Sequence, residues 1–586
     1  MKGLSENARL VLEQRYLRRN AEGKVTETPE EMFARVARHV AAAEAGYRRG
    51  PSPAEMEERF FEVMTGLDFL PNSPALMNAG TRLGQLSACF VLPVEDSIRG
   101  IFRAVSEMAL IHQSGGGTGF SFSRLRPEGD VVRSTGGVAS GPVSFMQVFD
   151  RATEVVKQGG RRRGANMGIL RVDHPDILRF VEAKGDPSIL TNFNLSVAVT
   201  DRFMKAAQRG GEIPLVNPRT GKECGRADAA SLFDAVTGQA ALTGDPGILF
   251  IDEINRRNPL AALGPLEATN PCGELPLYPY ESCILGSINL SRMVRGGRVD
   301  YKKLRHVIEV GVRFLDNIID LNRYPIPKIR KATLANRKIG LGVMGFADML
   351  IQLGFPYDSA EALRLAGRLM GFVTSEARRV SAGLARERGP FPNYPVSVYP
   401  KRGLPELRNA TVTTVAPAGT TGIIAGTTGG IEPLFAVAFC RRLPGGRSLA
   451  EVNPLFERAA SGRRFLTSMI REEILRRGSI QGIRGIPAEV RRLFRTAFDI
   501  APEDHLRIQA AFQRHTDNAV SKTVNLPEDA PPEDVRKIYI MAHALKCKGV
   551  TVYRCGSREG QVLSLPEAGG IPSGPECGGA CRLCGG

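Results

Sequence analysis

From about residue 60 to residue 555, short β-branched runs alternate with longer helical stretches, and this alternation constrains the fold more than any other feature of the chain. The runs include 88–94, 192–199, 247–250 and 411–415, and helical patterns such as 302–321 lie between them. Strands separated by helices pair in parallel through crossovers, so the pattern predicts an α/β domain with a largely parallel sheet. There is no internal repeat and no internal linker rich in Pro and Gly. One large catalytic domain is therefore the simplest organisation, and 586 residues are enough to bury a core without disulfide staples.

The two ends differ from this middle. Near the start, Thr28 can cap a helix, Pro29 takes its first position, Glu31 completes a capping box, Phe33, Val36 and Val40 line one face, and Gly46 closes the segment. The last 26 residues, 561–586, are rich in Gly and Pro and carry Cys577, Cys581 and Cys584, which reads as a mobile tail bearing thiols. The expected division is a helical segment over 1–60, a catalytic domain over 61–560 and a tail over 561–586.

Ten scattered cysteines fit a reducing compartment, and neither a leader-like apolar start nor a run of about 18 apolar residues is visible, so a soluble cytoplasmic protein is expected. The net charge of +17 admits an anionic partner. However, no basic stretch is interleaved with aromatics and tryptophan is absent, which argues against nucleic acid. Small polyphosphates, or simply an arginine-rich solvated surface, account for the charge equally well.

Three motifs compete for the chemistry. Gly340-Leu-Gly-Val-Met-Gly345 fits a dinucleotide fingerprint in letters only, because the preceding 335–339 is a poor buried strand and no acid follows at the required distance. Helix packing through small residues is its expected role. Pro417-Ala418-Gly419-Thr420-Thr421-Gly422 follows the 411–415 run, where small residues and a helix start suit an oxyanion. Without a lysine it does not imply nucleotide hydrolysis, and a plain tight turn is the competing reading. Asn270-Pro-Cys272-Gly-Glu274, with Cys283 beyond it, places an amide, a thiol and a carboxylate in one short loop. No histidine near these motifs activates the thiol, and two further ligands for zinc are missing. A one-electron role for Cys272 is favoured.

These residues resemble the active-site loop of ribonucleotide reductases, specifically the adenosylcobalamin-dependent class II. The resemblance extends, in order, over Pro71-Asn-Ser73 through Gly80, Ser87-Ala88-Cys89-Phe-Val91, Gly115 to Gly119, Gly159 to Gly164, the Thr420-Thr421 loop and His515 to Lys522. It implies a ten-stranded α/β barrel of two parallel five-stranded halves, with a central finger loop carrying Cys272. It also implies roles. Adenosylcobalamin supplies the radical that turns Cys272 into a thiyl, Glu274 takes the 3′-hydroxyl proton, and Asn270 binds the ribose hydroxyls. Cys89 and Cys283 provide two electrons and end as a disulfide, which the tail pair Cys581 and Cys584 exchanges with thioredoxin or a similar dithiol. A zinc knuckle including Cys577 is the alternative for the tail, while Cys547 and Cys555 have no assigned role and Cys224 and Cys440 are ordinary thiols by default.

By the same resemblance, Ser73, Ala88, Cys89 and Gly117 contact the ribonucleotide together with Asn270 and Glu274, and Ala418, Gly419, Thr420 and Thr421 cradle its phosphates. Family members often hold serine at the position of Ala88. Asp96, Ser97, Ile98, Arg126 and Arg133 match a deoxynucleotide effector site, and 159–168 the loop that relays effector identity. A homodimer is implied, with no membrane, nucleic-acid or metal partner. An N-terminal ATP-binding cone has no room before the core, so no global shut-off by dATP is expected. The alternative is a class I large subunit fed by a separate radical-generating subunit. It would need a tyrosine pair where this chain has Tyr553 alone. A glycyl-radical reductase lacks its C-terminal context here, and a non-catalytic nucleotide-binding or zinc-tail protein would leave the 270–274 loop unexplained.

Overall fold

The computed structural model describes residues 3–132, 136–156, 164–442, 448–463, 465–557 and 563–564. The predicted first helix forms over Pro29–Ala41 with both halves of the Thr28–Glu31 capping box made and Phe33, Val36 and Val40 buried. With Glu6–Arg15 and Pro53–Thr65 it contributes to one large apolar cluster that also takes in the long helices Tyr301–Leu321 and Ala360–Arg388.

The strands fall into two parallel sets, which accords with the α/β expectation. In the first, Cys89–Pro93, Gly117–Ser121, Asn166–Arg171, Phe193–Val199 and Gly247–Phe250 lie side by side. In the second, Ser282–Asn289 pairs with Ile339–Met344, single bridges join Leu341 to Thr413 and Val415 to Val520, and Thr523–Leu526 pairs with Gly549–Arg554. The sets meet antiparallel at both edges, Cys283 opposite Cys89 and Ile248 opposite Val550. The pairings thus run in a circuit, so each set covers the other's edges.

A separate apolar cluster joins residues of both sets, Cys89, Val91, Met167, Ile169, Ala198 and Leu249 with Cys283 and Leu285, to Ala268, Leu275 and Leu277. The last three belong to a hairpin of two short strands, Ala268–Thr269 and Pro276–Leu277, whose loop is the Asn270–Glu274 motif. This hairpin therefore packs against the faces that the two sets share.

One expectation is corrected. Gly340 to Gly345 does not pack helices: Ile339–Met344 is a fully buried strand. A Cβ on Gly340 would come within 2.6 Å of Thr414 Cγ2 and Leu285 Cδ2, and one on Gly342 within 2.5 Å of the Thr414 carbonyl oxygen. The glycines let the 411–415 segment lie close. The polar residues before the strand are buried by distant partners, Arg337 by Asp316 and Lys338 by Glu281, which hides the strand from a local reading.

Candidate active site

The loop between the two hairpin strands turns at Gly273, whose φ of 79° lies in the region that glycine adopts without strain. Its path is set by glycines on the neighbouring strand. A Cβ on Gly119 would collide with the Thr269 carbonyl oxygen, and one on Gly117 would sit 3.1 Å from Pro271 Cγ. The loop is then held from both sets. Asn194 of the first donates to the Pro271 carbonyl at 2.8 Å. From the second, the Thr414 hydroxyl and the Ala519 amide both donate to the Glu274 carbonyl at 2.9 Å. These three holders were not singled out by sequence, although Ala519 lies inside the His515–Lys522 motif.

Asn270 is the centre of the arrangement. Its Nδ2 donates to Glu274 Oε2 at 2.8 Å and to Cys89 Sγ at 3.2 Å, and its Oδ1 accepts from the Leu275 amide at 2.9 Å. Burial pushes the Glu274 carboxyl up to about 7, against the hydrogen bond from Asn270, which favours the charged form. A group titrating there suits proton transfer near neutrality.

Cys283 faces Cys89 in register across the antiparallel edge, although 193 residues lie between them in the chain. Directly opposed residues of such a ladder have Cα atoms about 4.5–5.5 Å apart, within the range a disulfide spans. Neither forms a disulfide, and burial with the neighbouring Cys89 raises the Cys283 thiol well above its ordinary range. Cys272 is half-buried while Asn270 and Glu274 are almost inaccessible, so the tip of the loop is the part solvent reaches. Cys272 is disulfide-bonded in this structure, as is Cys555, so Cys272 must be reduced before it can lose a hydrogen atom.

The expected phosphate cradle is a helix start: Ala418, left-handed at φ 50°, precedes Gly419–Ala425, and Thr420 and Thr421 are buried. The Glu6–Arg15 helix packs on it, and Tyr16, just past that helix, hydrogen-bonds the Ser73 hydroxyl at 2.7 Å. The Ala88 carbonyl accepts from the Gly117 amide at 2.9 Å, tying the expected nucleoside contacts together. Asn7, on the buried face of the Glu6–Arg15 helix, has both amide atoms buried without a partner among the described residues, and so has the Nδ2 of Asn72, next to Ser73.

Of the expected effector residues, Asp96, Ser97 and Ile98 lie just past the strand Cys89–Pro93, and Arg126 follows the strand Gly117–Ser121. Ser97 caps the helix Ile98–Gln113 through the Gly100 amide, Ile98 is exposed, and Arg126 is paired with Asp96 at 2.9 Å and with the Val131 carbonyl at 3.1 Å. Arg133, the 159–163 half of the 159–168 loop and the tail cysteines Cys577, Cys581 and Cys584 lie outside the described residues. No group of three or more candidate metal ligands occurs among the described residues, and no helix among them is long and apolar enough to cross a membrane.

Comparison with known proteins agrees with the motifs. Residues 87–405 and 402–553 match the family described as ribonucleotide reductase, barrel domain, and residues 2–84 match ribonucleotide reductase, all-alpha domain. The vitamin B12-dependent ribonucleoside-diphosphate reductase of Mycobacterium tuberculosis is 56% identical over 562 residues, covering 96% of this chain and 81% of the relative. That of Thermoplasma acidophilum is 48% identical over 621 residues, with the same two coverages of 96% and 81%. In fold, the chain is similar to the Actinobacillus ureae class Id ribonucleotide reductase alpha subunit, with a TM-score of 0.78 at 22% identity over 94% of this chain and 98% of that one. The chain belongs to the ribonucleotide reductase family, among its vitamin B12-dependent ribonucleoside-diphosphate reductases.

Proposed function

We propose that this chain reduces ribonucleoside diphosphates to 2′-deoxyribonucleotides by thiyl-radical chemistry on the Asn270–Glu274 loop. The observation that carries the reading is the Asn270 amide, which holds the Glu274 carboxyl and the Cys89 thiol together while Cys283 stands opposite Cys89. When bound, adenosylcobalamin supplies a one-electron oxidant able to take the hydrogen atom of a thiol. Cys272 is, with Gly273, the part of the loop that solvent reaches, which fits a thiol that must meet a group arriving from outside.

The Cys272 thiyl takes the 3′ hydrogen atom of the ribose and Glu274 accepts the 3′-hydroxyl proton. The 2′ hydroxyl leaves as water with a proton from the thiol pair. Cys89 and Cys283 give two electrons and two hydrogens in all and become a disulfide, and Cys272 returns the 3′ hydrogen. Ser73, Ala88 and Gly117 position the nucleoside, and Ala418 to Thr421 hold its phosphates. Cys581 and Cys584 re-reduce the Cys89–Cys283 disulfide and are themselves reduced by thioredoxin. A deoxynucleotide at Asp96, Ser97, Ile98, Arg126 and Arg133 tunes base choice in a cytoplasmic homodimer. The division 1–60, 61–560 and 561–586 separates the helical cover, the catalytic unit and the redox tail.

The test is the purified chain with a ribonucleoside diphosphate, adenosylcobalamin and a dithiol. Formation of the 2′-deoxynucleotide is expected, and turnover that appears only with an added radical-generating subunit would refute the reading.

A further inference from the structure

The +17 charge has no role in the chemistry above, and it is unevenly spread. Between Ala438 and Arg495 there are thirteen arginines and five glutamates, with no lysine or aspartate, so about a tenth of the chain carries +8 of the net charge. This stretch is a lobe with its own apolar core, including Phe456, Ile474, Ile483 and Phe494, closed by the preceding Leu434 and Val437. Its strands Ala438–Arg442 and Ser448–Val452 pair antiparallel, and the helices Pro454–Arg463, Ser468–Arg477 and Ala488–Leu493 complete it.

Three of the five glutamates are already used, Glu457 by Arg471, Glu473 by Arg477 and Glu489 by Arg463. Arg458, Arg476, Arg484 and Arg492 are exposed and make no ion pair among the described residues. Met469, 73% exposed, lies seven residues before Arg476 and so on the same face of their helix. The lobe thus offers four exposed guanidinium groups outside its ion pairs, one of them on the same helix face as an exposed methionine, and guanidinium groups grip carboxylates in pairs.

A second observation indicates what docks there. After the last strand of the circuit, Leu563–Ser564 returns to pair antiparallel with Cys440–Arg441 of this lobe. The chain that bears Cys581 and Cys584 is therefore rooted on the basic surface, and the 17 residues from Ser564 to Cys581 cannot carry the pair further than about 60 Å from it. Single-stranded nucleic acid would want exposed aromatics to stack on, whereas Phe456 and Phe494 are buried in the lobe core and Phe465 packs against it.

We propose that the 438–495 lobe is the docking surface for an acidic dithiol protein that reduces the tail. This rests on the redox role proposed above for Cys581 and Cys584. A thiolate of the docked partner attacks one sulfur of the Cys581–Cys584 disulfide, forming a mixed disulfide and releasing the other as thiolate. The partner's second thiol then displaces the first, so the partner leaves oxidised and the tail pair leaves as two thiols. Charge complementarity at the lobe raises the encounter rate and is weakened by salt.

The test is the full chain carrying R458Q, R476Q, R484Q and R492Q together, assayed for ribonucleoside diphosphate reduction with adenosylcobalamin. An acidic thioredoxin and dithiothreitol are compared as reductants. The KM for thioredoxin should rise roughly tenfold and its salt dependence should flatten, while turnover with dithiothreitol stays that of the parent. An unchanged KM and salt dependence would overturn the docking surface, and binding of a single-stranded oligonucleotide lost in the variant with that KM unchanged would reassign it. If the parent turns over with dithiothreitol but not with thioredoxin, the redox-tail reading falls and the docking surface with it. If neither reductant works, the proposed reaction itself fails.

Discussion

Glu274→Gln separates the electrostatics of the loop from its shape. The carboxyl is moved from its ordinary 4.5 to about 7, chiefly by burial, and each unit is worth about 1.4 kcal/mol. Ionising it in the folded protein therefore costs about 3 kcal/mol more than in the unfolded chain. Because the folded carboxyl holds its proton more tightly, the folded state binds more protons between about pH 4.5 and 7, and stability falls as pH rises through that window. The penalty is absent below the unfolded value and fully present above the folded one.

Glutamine has nearly the same shape, cannot ionise, and can still accept from Asn270 Nδ2. The Gln variant should match the parent in stability near pH 4.5 and exceed it by about 3 kcal/mol at pH 8. Urea midpoints of both proteins at several pH values read this difference directly, and other titrating groups cancel in the comparison. In single-turnover reduction the variant should lose about 10²–10⁴-fold, the range for a removed acid–base group, and the parent rate should climb as pH rises through about 7. A stability gap independent of pH, or a variant weaker than the parent at pH 8, would refute the argument from burial.

Gly119→Ala forces the hairpin away from a strand it now touches at the Thr269 carbonyl. Displacement on the order of 1 Å should cost about 100-fold in turnover with the circular dichroism spectrum unchanged, and full activity would show that the loop does not need this approach. Cys581→Ser with Cys584→Ser should keep turnover with dithiothreitol and lose it with thioredoxin, whereas equal loss with both would favour a structural zinc tail. Asn7→Leu removes a buried amide with no partner for either atom, so thermal unfolding should show a gain of about 1–3 kcal/mol. A loss instead would reveal a bound water or ligand that the amide serves.

Features coded by adjacent residues were legible in the sequence. Thr28, Pro29 and Glu31 define their helix start within four residues. Strand existence was visible from β-branched runs, and the order of the motifs identified the family. What was hidden is non-local. The hairpin strands are two residues each, too short for any periodicity. The strand Ile339–Met344 was misread because the burial of Arg337 and Lys338 depends on Asp316 and Glu281. The pairing of Cys89 with Cys283 came from resemblance alone, since no spacing rule joins residues so far apart, and Tyr16, Asn194 and Thr414 touch the site through contacts with residues 57, 77 and 140 positions away in the chain.

The loop has its two ends of support on different halves. Pro271 hangs on Asn194 of the first parallel set, and Glu274 hangs on Thr414 and Ala519 of the second. The position of Cys272 relative to Cys89 is therefore fixed only while the two sets keep their relation, and the edge where they meet is the Cys89–Cys283 pairing itself. The strand that carries Cys89 ends at Pro93, three residues before Asp96 of the proposed effector site. A five-residue strand spans about 17 Å. An effector that shifts Asp96 and its partner Arg126 thus pulls on one end of a strand whose other end is the thiol Asn270 holds. That strand is one continuous route from the proposed effector site to the thiol pair.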